Sequence, residues 1–262
     1  TDDKAESILR YNKALVDATL DTAACYKVQI AYYEALGTAG LEAYAKTLHY
    51  IRSRKALVIA DIKRGDIADT ARRYAAAHFA GEFEADFVTL APYMGMDSLD
   101  PWLSSIQEKG KGAFVLMRTS NPGMRDFEYR ELKEGGRLYD AVGQKLLETA
   151  RQYRGERGYG AVGAVVGCTE QEEAATIRKN YSSLFFLIPG YGAQGGAAAD
   201  AARLLKNGNG GVVNASRSIL KAWTKVYDTD CSLDKAAEAA AAECLRMRNA
   251  IQEACTEASN GD

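Results

Sequence analysis

Histidine is nearly absent: His49 and His78 are the only two in 262 residues. Each sits in a charge-flanked, helical-looking stretch rather than at a strand end, so a histidine metal centre or a Ser-His-Asp triad is not expected. The five cysteines, Cys25, Cys168, Cys231, Cys244 and Cys255, are odd in number, far apart and without a C-x-x-C pair. That excludes a disulfide framework or a zinc knuckle and fits reduced thiols in a cytoplasmic protein. No run of about eighteen apolar residues occurs, and T-D-D-K-A-E at the start carries charge where a signal peptide needs an apolar core, so no membrane partner is expected. Surplus positive charge is missing too. With 33 Lys and Arg against 35 Asp and Glu the formal net charge is −2, which leaves no basic footprint for a nucleic-acid partner.

What is present is a globular balance of 47% hydrophobic and 26% charged residues, enough for one large α/β domain over 1–262. No Pro/Ser-rich linker or low-complexity break divides it. Short apolar, β-branched runs at 24–31, 56–63, 87–92, 113–120, 161–168, 184–190 and 211–216 read as strands. Between them lie helix-length segments, among them 37–53, 66–81, 97–109, 137–154, 170–180 and 196–207. Nearly continuous apolar strands separated by helices imply parallel pairing with both faces covered. A doubly wound open sheet and a closed (β/α)8 barrel both satisfy this alternation. The barrel is favoured because reactive residue types sit at the carboxyl ends of several different strands. Seven strands are legible where a closed barrel has eight, so the first is expected to precede Thr1. The Ala-rich stretch 234–254 predicts a C-terminal covering helix, and 256–262 a flexible tail.

The most informative stretch is D-I-K-R-G-D-I at 61–67. Asp61 and Lys63, two apart on a strand, project to one face, and Asp66 follows where the next helix begins. Charges pointing into a barrel mouth are costly unless paired, so these should neutralise one another and face a ligand. Taken alone, D-x-K-x-x-D is a weak signal; its place after the buried-looking V-I-A gives it weight. Lys27 closes the preceding strand, and although a strand-end lysine commonly snorkels to solvent, Asp61 on the neighbouring strand is its natural partner.

P-G-Y-G-A-Q-G-G at 189–196 contains G-x-G-x-x-G after a strand. A dinucleotide site would need an acid at the end of the following strand, but that strand ends N-A-S-R-S, with an arginine instead. A glycine-rich loop after the penultimate strand with Ser216 and Arg217 after the last suits the single-phosphate grip that barrels build from their final loops. T-S-N-P-G at 119–123 gives Ser120 and Asn121 beside a Pro-Gly turn, groups suited to an amide edge, though alone it reads as a turn.

Together, Lys27, D-I-K-R-G-D-I, T-S-N-P-G, P-G-Y-G-A-Q-G-G and N-A-S-R-S resemble, in this order from about Tyr11 to Trp223, the orotidine 5'-monophosphate decarboxylase family. The likeness is to the group with the longer A-P-Y-M-G-M-D-S-L and N-P-G loops. The resemblance implies a cofactor-free, metal-free lyase that makes uridine 5'-monophosphate on a TIM-type barrel. By this likeness Lys63 is the proton donor, Asp61 and Lys27 are its charged neighbours and Asp66 is the fourth member. Asp66, Ile67 and Thr70 would be shared across a homodimer interface. Ser120 would read the pyrimidine amide, Gln194 would bridge ring and phosphate from a closing loop, and Arg217 with the backbone near Ser216 would hold the phosphate. Family members begin with a strand ending in a ribose-binding Asp; no such strand follows Thr1, and its omission from the chain is the expectation. Two rival readings remain at this stage: a magnesium-dependent sugar-phosphate decarboxylase or aldol synthase on the same scaffold, and a non-catalytic phosphate-ligand-binding barrel.

Overall fold

The computed structural model describes residues 2–192, 196–227 and 231–260. In chain order the helices and strands are α1 (Asp2–Thr19), β1 (Tyr26–Gln29), α2 (Ala31–Glu34), α3 (Gly37–Ser53), β2 (Val58–Arg64), α4 (Ala68–Phe79), β3 (Phe87–Leu90), α5 (Asp100–Lys109), β4 (Gly112–Arg118), α6 (Met124–Phe127), α7 (Leu138–Gln152), β5 (Val162–Val166), α8 (Gln171–Asn180), β6 (Phe186–Ile188), α9 (Ala198–Arg203), β7 (Gly211–Val213), α10 (Arg217–Leu220) and α11 (Leu233–Asn260). Five of these strands fall inside a run that the sequence marks as one, while β2 runs one residue past its run to Arg64 and β4 starts one residue before its run at Gly112.

The strands form one sheet in the order β1 to β7, and the pairs β1/β2, β4/β5, β5/β6 and β6/β7 run parallel. A doubly wound sheet reverses its strand order at a switch point. Here the order never reverses, which is the topology of the α/β, TIM-barrel class.

The sequence reads as a single domain, and its described residues divide into two compact units that interleave along the chain. The first comprises 1–62, 73–88 and 216–249. Its core joins an edge-to-face pair of Tyr33 and Tyr44, centroids 5.2 Å apart, to Phe83, which lies 5.5 Å from Tyr44. Tyr44 is wholly buried, and an aromatic ring buried in this way stabilises by about 1.5–3 kcal/mol. On α1, Leu15 packs with Ala237 and Ala240 of α11. Buried Ala236, Ala237, Ala240, Cys244 and Met247 recur at helical spacing, and such small side chains give α11 a narrow contact face. The helix continues past residue 254 to Asn260, through most of the stretch expected as a tail.

The second unit comprises 63–72, 89–215 and 250–262. Val162–Val166 is buried at every position, as a strand covered on both faces must be. Arg178 of α8 is buried and donates to the backbone carbonyls of Tyr181, Leu184, Leu204 and Gly210. Its guanidinium stacks 3.9 Å from the Phe186 ring centroid, and burial lowers its pKa to about 10. This one cation gathers four carbonyls on the approaches to β6 and β7, of which those of Tyr181 and Gly210 also accept the N–H of Leu184 and Phe186.

The N-terminal helix α1 is an addition to the helical segments read from sequence. Among the described residues there is no eighth strand, and no helix is long and apolar enough to cross a membrane. All five cysteines are free.

Candidate active site

In the first unit, the β1/β2 register pairs Lys27 with Ile59 and Gln29 with Asp61. Paired residues of a parallel ladder share a face and side chains alternate along each strand, so Lys27 and Asp61 are diagonal neighbours on one face. Lys27 Nζ donates to Asp61 Oδ2 at 2.6 Å, with the side chains only 12% and 6% exposed. The sequence-based pairing is therefore present. Each charge offsets the desolvation cost of the other, and neither could stay ionised there alone without a large penalty.

Ser216 and Arg217 stand at the start of α10, both exposed. Leu220 N–H donates to Ser216 O at 2.8 Å, closing the turn, and Tyr11 of α1 donates its hydroxyl to Leu220 O at 2.5 Å. Helix α1 thus pins the turn that carries the arginine.

In the second unit, Lys63 occupies the end of β2 with a positive φ of 44°. Its N–H donates to the hydroxyl of Thr89, a 1% exposed residue of β3, at 2.9 Å. Ala91 N–H donates to Arg64 O at 2.8 Å and continues the pairing past the lysine. A left-handed non-glycine residue costs on the order of 1–3 kcal/mol and persists where its surroundings over-determine it. Ala68 has a φ of 47°, so the strain falls at both ends of the stretch that bears the candidate acid–base residues. Between them Asp66 Oδ1 accepts the N–H of Ile67 at 2.9 Å. Ile67 is 46% exposed, and Thr70 is exposed on the first turn of α4.

Ser120 follows β4, half-buried, its carbonyl accepting from the Thr169 hydroxyl at 3.2 Å. Thr119 is held on its other side by Glu128, which accepts the backbone N–H at 2.8 Å and the hydroxyl at 2.7 Å. The glycine-rich loop is drawn together at its base. Gly192 N–H donates to Gly196 O at 2.8 Å and Gly196 N–H to Gly190 O at 3.1 Å. The φ values of 102° at Gly190 and 71° at Gly192 require glycine there. Gln194 lies outside the described residues.

Sequence reasoning missed three contributors: Thr89, which fixes the Lys63 backbone; Glu128, which clasps Thr119; and Arg118, fully buried at the end of β4. The only available signal was Arg118 itself, a charge closing an apolar strand. Among the described residues no group of three or more His, Cys, Asp or Glu side chains is gathered as a metal centre would require.

A parallel α/β sheet of this order, with Lys27 within β1 and Asp61 and Lys63 on β2, is of the TIM-barrel type. Residues 7–228 match the model of the Orotidine 5'-phosphate decarboxylase / HUMPS family; the chain belongs to that family and is a decarboxylase. It is similar to the orotidine 5'-phosphate decarboxylase of Clostridium perfringens strain SM101, with 56% identity over 251 residues, 96% of this chain and 86% of the relative. Among solved structures it is similar to the OMP decarboxylase of Leishmania donovani, with 31% identity, a TM-score of 0.73 and coverage of 94% of this chain and 89% of that one. It is also similar to the UMP synthase of that organism, with 33% identity, a TM-score of 0.77 and 95% of this chain covered. The chain spans about half of that longer protein, 51%.

Proposed function

We propose that this protein decarboxylates orotidine 5'-monophosphate to uridine 5'-monophosphate without metal or organic cofactor, with Lys63 as the proton donor. The observation that carries the reading is the buried Lys27–Asp61 pair at 2.6 Å, on adjacent strands, with Lys63 two residues further along β2. Family membership and the names of relatives at 50–56% identity support the reaction itself.

The chemistry explains the residue types. Losing carbon dioxide from C6 of the pyrimidine leaves a carbanion whose lone pair lies in the ring plane, where the π-system cannot spread it. Stabilisation must come from a fixed charge. In this reading the Lys63 ammonium sits where the negative charge develops and then delivers its proton, and a preorganised donor of this kind contributes about 3–4 kcal/mol. Asp61 stands beside the departing carboxylate, and their repulsion vanishes as carbon dioxide leaves. Lys27 fixes the direction of the Asp61 carboxylate, and Asp66 completes the alternating charge set. Ser120 hydrogen-bonds the pyrimidine amide, and Gln194 bridges ring and phosphate. Arg217 and the backbone near Ser216 hold the phosphate, whose binding energy offsets the cost of crowding two carboxylates.

The same reading makes the working form a cytoplasmic homodimer in which Asp66, Ile67 and Thr70 reach the partner's site. Exposed Ile67, Tyr93 at 89% and Met94 at 48% support an association surface on that side of the second unit, since large apolar groups this open favour burial.

The test is ultraviolet monitoring of orotidine monophosphate consumption in metal-free buffer containing chelator. Full turnover is expected. Activity that disappears with chelator and returns with magnesium would replace this reading with the metal-dependent one.

A further inference from the structure

Arg118 is 0% exposed at the end of β4. It is brought there by a register irregularity: the β4/β5 ladder pairs Leu116 with Val165 but Arg118 with Val166, one residue slipping between them. A bulge of this kind re-aims a side chain at a strand end. Arg118 then holds one residue of the neighbouring strand end twice. Its carbonyl accepts the Gly167 N–H at 2.8 Å, and its guanidinium Nη2 donates to the Gly167 carbonyl.

Gly167 in turn is pressed against Ser120. A Cβ added at Gly167 would stand 2.7 Å from Ser120 Cβ, 2.9 Å from its Cα and 3.0 Å from its N. No larger residue fits there without moving Ser120, so the position of Gly167 sets the position of the serine. The chain of contact runs from the Arg118 guanidinium through the Gly167 peptide to the Ser120 backbone.

We infer that Arg118 is a positioning residue for pyrimidine recognition, which acts by holding Gly167 and so fixing the direction of the Ser120 hydroxyl. This rests on the reading of Ser120 as the residue that binds the pyrimidine amide. The fixed serine is worth having because a hydrogen bond to a polar edge loses most of its strength when misaligned.

The experiment is a double-substitution cycle on turnover of orotidine monophosphate, with melting temperature recorded for each protein. Arg118→Lys keeps a buried cation but loses the fork that reaches Gly167; Gly167→Ala moves Ser120 directly and serves if Arg118→Lys does not fold. Either one is expected to raise KM about tenfold in the otherwise native protein and less than twofold in a Ser120→Ala protein, because the hydroxyl they position is then gone. Equal increases in both backgrounds, or a fall in melting temperature with KM unchanged, would overturn the inference. Ser120→Ala alone separates this from failure of the underlying reading: if it leaves KM untouched, the role of Ser120 fails first.

Discussion

Lys27 Nζ and Asp61 Oδ2 lie 2.6 Å apart across β1 and β2, both side chains nearly excluded from water. Removing one member of such a pair strands the other. Lys27→Met is expected to lower stability by about 3–5 kcal/mol and to reduce turnover severely. Lys27→Met combined with Asp61→Asn should regain most of the stability and none of the activity. Urea unfolding beside a decarboxylation assay checks this; a Lys27→Met protein as stable as the native one would show that the pair carries little.

Lys63 combines a strained backbone with the proposed catalytic ammonium. Lys63→Ala should abolish decarboxylation while leaving uridine monophosphate binding measurable by calorimetry. Lys63→Gly should be equally inactive and more stable than Lys63→Ala by about 1 kcal/mol, since only glycine relieves the positive φ. Equal stability of the two variants would mean that the conformation carries no strain.

Subunit sharing is open to complementation. Asp66→Asn chains and Lys63→Ala chains, each inactive alone, should regain roughly a quarter of native activity on mixing, because half the dimers are hybrids with one intact site. A mixture no more active than its parts would confine each site to one chain.

Burial raises the Cys168 thiol to about 11 from 9.0, with its sulfur turned to the Pro189 carbonyl at 3.3 Å. Below pH 9 the thiol is neutral in both folded and unfolded chains and the full stability is present. Between pH 9 and 11 the unfolded chain releases its proton first, so stability falls as pH rises through that window. Cys168→Ala should lose less stability than the native protein between pH 8.5 and 11 in urea titrations; identical losses would remove the thiol as the cause.

Strand positions were readable because each strand is a short apolar run bounded by polar or glycine-rich segments. Helix α1 is hard to read locally because charged residues open it, although Ala5, Leu9 and Val16 mark a buried helical face. The Lys27–Asp61 pair was legible from chemistry alone: two opposite charges on adjacent apolar strands have little choice but to meet, although Lys27 is the second residue of β1 rather than the one that closes it. Thr89 and Glu128 were not legible, because a threonine in an apolar strand and a glutamate in a loop carry no mark of the backbone group they hold.

The amino-acid order by itself determined the alternation of strand and helix, the strand ends that carry charge and the spacing of Asp61, Lys63 and Asp66, since these depend on local apolar periodicity and on neighbours along one chain. It favoured a barrel over an open sheet, but it could not reveal the unbroken order of the strands, the slipped register at Arg118 or the left-handed turn at Lys63. Those are settled by which strands lie side by side and how their hydrogen bonds align, and such contacts join residues far apart in the sequence that no local pattern connects.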